Sequence, residues 1–221
     1  GLNFVVNPVV AWGLGAVFLG GEPDLRIGLL LFLLTPCIGW YLVFTELAGG
    51  DTDLGVGILG INVVLQVALL PVYLAMFAGG STSLDLAVLG QSILVYLLVP
   101  AAVAGAIRLA WSRRGRVAAE ECERLRVPLL KTVALALVIV AMFASQAEAI
   151  FGDPAAVSRL VLPMALFFAL AFAIALVAGR TLGLPHEQTA LLVFTTTSRN
   201  SEASLALAVT AFANPLVALT V

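Results

Sequence analysis

Seven apolar runs of bilayer-crossing length follow one another along this chain, at about 4–20, 26–47, 54–77, 84–111, 128–150, 158–179 and 187–211, and an eighth begins near Pro215. About 20 apolar residues in a helix cross a hydrocarbon core. In lipid every backbone N–H and C=O must find a partner within the protein, so spanning segments are helices or closed barrels. Runs this long are helices, and the fold class is an all-α membrane protein. Composition agrees: 62% of the residues are hydrophobic and 11% charged, against roughly 45–50% and 25% in soluble domains. So few charges cannot cover a water-exposed surface. Separators such as Gly20-Gly21-Glu22-Pro23-Asp24, Gly49-Gly50-Asp51 and Gly79-Gly80-Ser81 are short, which makes neighbouring helices antiparallel.

The charge pattern orients the chain. Arg108, Arg113, Arg114, Arg116, Arg124, Arg126 and Lys131 flank the connection between the fourth and fifth runs, and cytoplasmic loops carry the Lys/Arg excess. That connection is expected inside. Alternation then puts Arg180 inside and the Glu148/Asp153 connection outside, with Arg159 an exception. A net charge of −2 with no basic stripe beyond this loop leaves no electrostatic footprint for nucleic acid. Cys37 lies in an apolar run and Cys122 in the most charged loop, so no disulfide framework is implied. The start at Gly1 and the stop at Val221 within an apolar run read as truncations, making residues 1–221 a single transmembrane domain cut at both ends. No cofactor or metal site is expected.

Two runs are broken. Pro36 stands near the middle of the second, within Leu33-Leu34-Thr35-Pro36-Cys37-Ile38-Gly39-Trp40. Proline removes a backbone donor and clashes with the preceding turn. The seventh holds Thr195-Thr196-Thr197-Ser198-Arg199-Asn200-Ser201-Glu202-Ala203-Ser204 at mid-depth, a polar stretch that must face protein or a water-filled cavity. The broken runs are five apart, and an odd offset reverses orientation, as in inverted-topology repeats, where substrate and ion sites lie near the midplane between discontinuous helices. Pro8 and Pro163 fit the same offset. A kink that serves packing and Ser/Thr side chains that bond within their own helix are the plainer readings. Asn62 and Gln66, four apart in the third run, share a helical face, either lining the site or bonding between helices.

The stretch Thr35-Pro36-Cys37 through Leu47-Ala48-Gly49-Gly50-Asp51, followed by Asn62 and Gln66, resembles the fourth and fifth helices of the arsenite permeases of the bile acid:sodium symporter superfamily. Ser198-Arg199-Asn200-Ser201-Glu202-Ala203 is similar to that family's ninth-helix motif, an asparagine followed two positions later by a glutamate. The resemblance covers the third to the ninth helix and the start of the tenth. It implies a ten-helix fold of inverted five-helix repeats, with two discontinuous crossing helices in a core domain that moves against a panel domain. In the arsenite branch it also implies that the cysteine at position 37 binds trivalent arsenic and that Glu202 is essential for transport. A thiolate is a soft ligand, which suits that cargo.

Sodium-coupled relatives carry a glutamate five residues before the ninth-helix asparagine and a glutamine just before it. Here Thr195 and Arg199 stand there, a change hostile to a sodium site and favouring protons as the coupling cation. The leading expectation is proton-coupled secondary efflux of arsenite or a related metalloid from a multi-pass protein of the bacterial plasma membrane. The substrate-binding candidates are Cys37, Glu202, Asn200 and Arg199, with Thr35, Pro36, Asn62, Gln66, Thr195 and Ser198 as site-lining candidates. A run helical across Arg199 and Glu202 would place both on one face as a charge pair. The alternative is symport of a small organic anion with a cation, with Arg199 as counter-charge. An intramembrane enzyme is disfavoured: His186 sits before the seventh run, the runs hold no paired aspartates, and no H-E-x-x-H spacing occurs.

Overall fold

The computed structural model describes residues 1–37, 39–77, 151–212 and 214–221, together with scattered helical positions between 91 and 147. Arg108, Arg113, Arg114, Arg116, Arg124, Arg126, Lys131, Cys122 and Glu148 lie outside the described residues, and the runs at 84–111 and 128–150 are described at those scattered positions alone. The described residues are predominantly helical, with no strand longer than an isolated bridge among them.

A 3-10 turn at Leu2–Phe4 leads into α1 (Val6–Phe18). Helix α2 (Pro23–Leu34) begins on a proline, where the fixed φ suits a helix and the missing N–H goes unused. Asp24 in its first turn meets the positive end of the helix dipole. Helix α3 (Trp40–Leu47) continues the second run, and α4 (Thr52–Phe77) forms the third. Helix α5 (Pro154–Thr181) is capped by Asp153, whose carboxylate accepts from Ala156 N at 2.9 Å. It stops at Gly183, where φ is +65° and Leu184 N donates back to Gly179 O at 3.0 Å. Only glycine adopts that left-handed closing turn without cost. Helices α6 (His186–Thr197) and α7 (Ser201–Ala211) form the seventh run, and α8 (Pro215–Leu219) follows.

Helix α2 is the centre of the molecule, packed by α1, α4, α5, α7 and α8. Leu25, Ile27, Leu29, Leu30, Leu31 and Leu33 are at most 2% exposed, so most of this helix is buried, with Asp24, Arg26 and Phe32 half-buried. Lipid tails are as apolar as leucine, so its packing energy comes from close van der Waals contact and not from escape from water. Gly28 allows the closest approach: a Cβ there would collide with the Thr220 hydroxyl and the Val217 carbonyl of α8.

Helices α4 and α5 are the long ones, 26 and 28 residues, apolar and long enough to cross a membrane. They point large apolar side chains outward, among them Val56, Ile61 and Val64 on α4 and Val161, Leu162 and Phe172 on α5. Apolar surface of that extent needs lipid or a partner against it. By length and composition the two helices are consistent with a helical membrane protein.

Contacts between turns sort them to two sides. Arg159 pairs with Glu22 at 2.5 Å, joining the start of α5 to the turn before α2. An exposed pair of this kind is worth about 0–1 kcal/mol, yet it neutralises the arginine that broke the charge pattern. On the opposite side the His186 ring lies 3.0 Å from Ala48 O, and Asp51 N donates to Glu187 O at 3.0 Å. Both groupings match the alternation read from the sequence.

Candidate functional site

The two breaks meet. Helix α2 ends at Thr35, extended at φ −98° and ψ 95°, as expected of a residue before proline. Helix α6 ends at Ser198, also extended. The unwound segments run antiparallel past each other: Cys37 N donates to Ser198 O at 3.1 Å and Asn200 N to Thr35 O at 3.0 Å, with Pro36 and Arg199 opposite one another.

Interrupting a helix within lipid orphans the last carbonyls of its first half, and each left bare costs several kcal/mol. Here most of them are met. In α2, Leu31 O accepts from Thr35 Oγ1 at 2.6 Å, Phe32 O from Thr35 N at 3.3 Å and Leu33 O from Arg199 Nη1 at 3.0 Å. In α6, Val193 O accepts from Thr197 Oγ1 at 2.8 Å, Phe194 O from Ser198 N at 3.0 Å and Thr195 O from Asn3 Nδ2 at 2.9 Å. Thr196 O accepts from Asn7 Nδ2 at 2.9 Å and also from Arg199 Nη2. Asn3 Oδ1 in turn accepts from Asn7 Nδ2 at 3.1 Å and from Arg199 Nη2 at 3.3 Å.

The half-helices that begin at the crossing are met by acceptors. Asn200 caps α7, its Oδ1 accepting from Ala203 N at 3.1 Å. At the head of α3 the acceptor is sulfur: Trp40 N donates to Cys37 Sγ at 3.2 Å. Cys37 is a free, buried cysteine, 5% exposed. The crossing thus sets a guanidinium at two helix C-termini and a thiol and an amide oxygen at two helix N-termini. Phe167 of α5 closes the cationic side, its ring centroid 5.2 Å from the Arg199 guanidinium carbon.

The expected site residues separate into three groups. Thr35, Pro36, Cys37, Ser198, Arg199 and Asn200 come together in the crossing itself. Thr195 is buried one turn earlier, and Glu202 stands half-buried in the first turn of α7. Asn62 and Gln66 are half-buried on α4; no hydrogen bond joins them to the crossing among the described residues, and Asn62 Nδ2 is buried without a partner there. The charge pair expected on one helical face is not formed, because the helix is interrupted between Arg199 and Glu202 and the guanidinium is taken by carbonyls. Asn3 and Asn7 went unread in the sequence, although at the start of an apolar run they have the same spacing of four as Asn62 and Gln66.

Two interrupted helices that meet with their ends facing a common point are the arrangement in which transporters with broken helices place their substrate and ion sites. The model of the sodium bile acid symporter family matches residues 1–153. The chain belongs to that family. It is also 28% identical, over 223 aligned positions, to the arsenical-resistance protein Acr3 of Corynebacterium glutamicum, an alignment that covers 96% of this chain and 60% of that protein. The chain therefore spans about 60% of the length of this curated relative.

Proposed function

We propose that this chain is the greater part of a multi-pass plasma-membrane transporter of two inverted five-helix repeats, which exports arsenite or a related trivalent metalloid in exchange for protons. Cys37 carries the reading. It places a sulfur at the unwound point of a helix enclosed by protein, and soft thiolate ligands suit soft metals and metalloids. The likeness to an arsenical-resistance protein supports the same cargo. Asn200 and Glu202, at the head of α7, complete the substrate site in this reading, with Glu202 the group that exchanges the proton. Thr35, Pro36, Thr195 and Ser198 shape the crossing, while Asn62 and Gln66 line its approach from α4. The basic loop faces the cytoplasm, and the Asp153 connection faces outside.

Carriage of an organic anion is the weaker reading, because Arg199, its expected counter-charge, already donates to Leu33, Thr196 and Asn3. The test is resistance. In arsenite-sensitive cells expressing the full-length protein, Cys37→Ser abolishes resistance at unchanged membrane abundance, because serine keeps the size but offers a hard hydroxyl, while Cys122→Ser leaves resistance intact. Equal resistance in wild type and Cys37→Ser would refute the thiolate reading and promote the organic anion.

A further inference from the structure

We propose that the Arg199 guanidinium is the resident cation of the crossing, seated where two half-helix ends would otherwise hold a free monovalent ion, and that shortening this side chain turns the crossing into a monovalent-cation site. The inference rests on the crossing as the centre of a transporter and is independent of the cargo.

Charge balance makes the argument. The C-terminal end of a helix carries about half a negative charge, so two converging ends present about one elementary charge. Helices α2 and α6 both end here, and one guanidinium bonds the Leu33 carbonyl of the first and the Thr196 carbonyl of the second. A charged side chain at mid-membrane is costly and is normally paired. Yet among the described residues the ion pair present is Arg159 with Glu22, and no carboxylate lies within 4.0 Å of the Arg199 guanidinium. It is surrounded by carbonyl dipoles, the Asn3 amide oxygen and the Phe167 ring, with Cys37 within electrostatic reach; such a ring face attracts cations.

The oxygens are those a small hard cation takes. Unwound carbonyls and half-helix C-terminal ends coordinate the coupling ion in transporters with broken helices, and here Leu33 O, Thr196 O and Asn3 Oδ1 converge on one charged group. Thr195, the residue before Thr196, adds a buried hydroxyl without a hydrogen-bond partner. Arg199 Nε is likewise buried without an acceptor, so the guanidinium is held by charge without using its full set of donors. With the side chain shortened, two like-signed helix ends face each other in a medium of low dielectric, and a small cation restores the balance.

The experiment follows thermal unfolding of the purified full-length protein in choline chloride, then with choline replaced at constant ionic strength by sodium, by potassium, or in part by millimolar guanidinium. Wild type and Arg199→Lys, both carrying a tethered cation, unfold at the same temperature in every salt. Arg199→Ala and Arg199→Ser unfold earlier in choline and rise saturably with at least one of the small cations. If neither variant is recovered in choline, recovery in sodium, potassium or guanidinium supports the proposal, and failure in all of them overturns it. Equal unfolding of the alanine and serine variants across all salts overturns it too, as does the same ion-specific rise in wild type. No metalloid is present, so the outcome stands apart from the resistance of Cys37→Ser cells.

Discussion

Pro36 and Arg199 face each other as the pair between the two hydrogen bonds of the bridge, and neither contributes its own backbone N–H to it. In an antiparallel ladder such a pair leaves its N–H groups out of the inter-strand bonds. Proline, which has no N–H, therefore breaks α2 at the one position of the joint where the missing donor costs nothing. The residue that destroys the helix is compatible with the contact that replaces it. Arg199, on the other strand, is left to use its side chain on the carbonyls that the same break exposes.

Glu202 is expected to set the ion that drives transport. In vesicles of the full-length protein, metalloid movement responds to an imposed pH gradient and is indifferent to replacing sodium with potassium. Glu202→Gln, which cannot release a proton, removes the pH response. Strict sodium dependence, with pH sensitivity intact in Glu202→Gln, returns the protein to sodium coupling.

The orientation has a direct check. Asp153 caps α5, and losing such a cap costs about 0.5–2 kcal/mol, so the probe belongs one residue earlier. Gly152 is exposed and has open space around its Cβ position. Gly152→Cys, in a background lacking native cysteines, reacts with an impermeant thiol reagent in intact cells; labelling confined to disrupted cells reverses the topology.

Asn7 is expected to hold the crossing from the side. It is 1% exposed and bonds both Thr196 O and Asn3 Oδ1. Hydrogen bonds between membrane helices average about 0.6 kcal/mol and reach about 1.7, so Asn7→Ala destabilises by about 1–3 kcal/mol. Val9→Ala, at a position 60% exposed on the same helix, stays within about 0.5 kcal/mol. Unfolding in denaturing detergent measures both, and equal stabilities would remove Asn7 from the joint.

Among the described residues hydropathy located the two long helices to within a few residues, because run length is a physical requirement of the bilayer: 54–77 became Thr52–Phe77 and 158–179 became Pro154–Thr181. The breaks were legible for the same reason, since Pro36 and the Thr195 to Ser204 stretch violate what lipid allows. The partners of those breaks were not. Arg199 was matched to Glu202 by helical spacing, which holds only while the helix continues, and the break that made both residues conspicuous also separated them. Asn3 and Asn7 sit where an apolar run begins, and polar residues there look like a boundary. Their targets are main-chain carbonyls of Thr195 and Thr196, nearly 200 positions away, and a carbonyl has no letter in the sequence.

The enclosure of α2 separates the chemistry of the crossing from the membrane around it. Large apolar side chains of α4 and α5 point outward, while the leucines of α2 from Leu29 to Leu31 are fully buried. Differences in bilayer thickness or chain saturation are taken up by tilt of the two long helices. The thiol and the guanidinium at the crossing keep the same neighbours in a thin, fluid membrane as in a thick, ordered one.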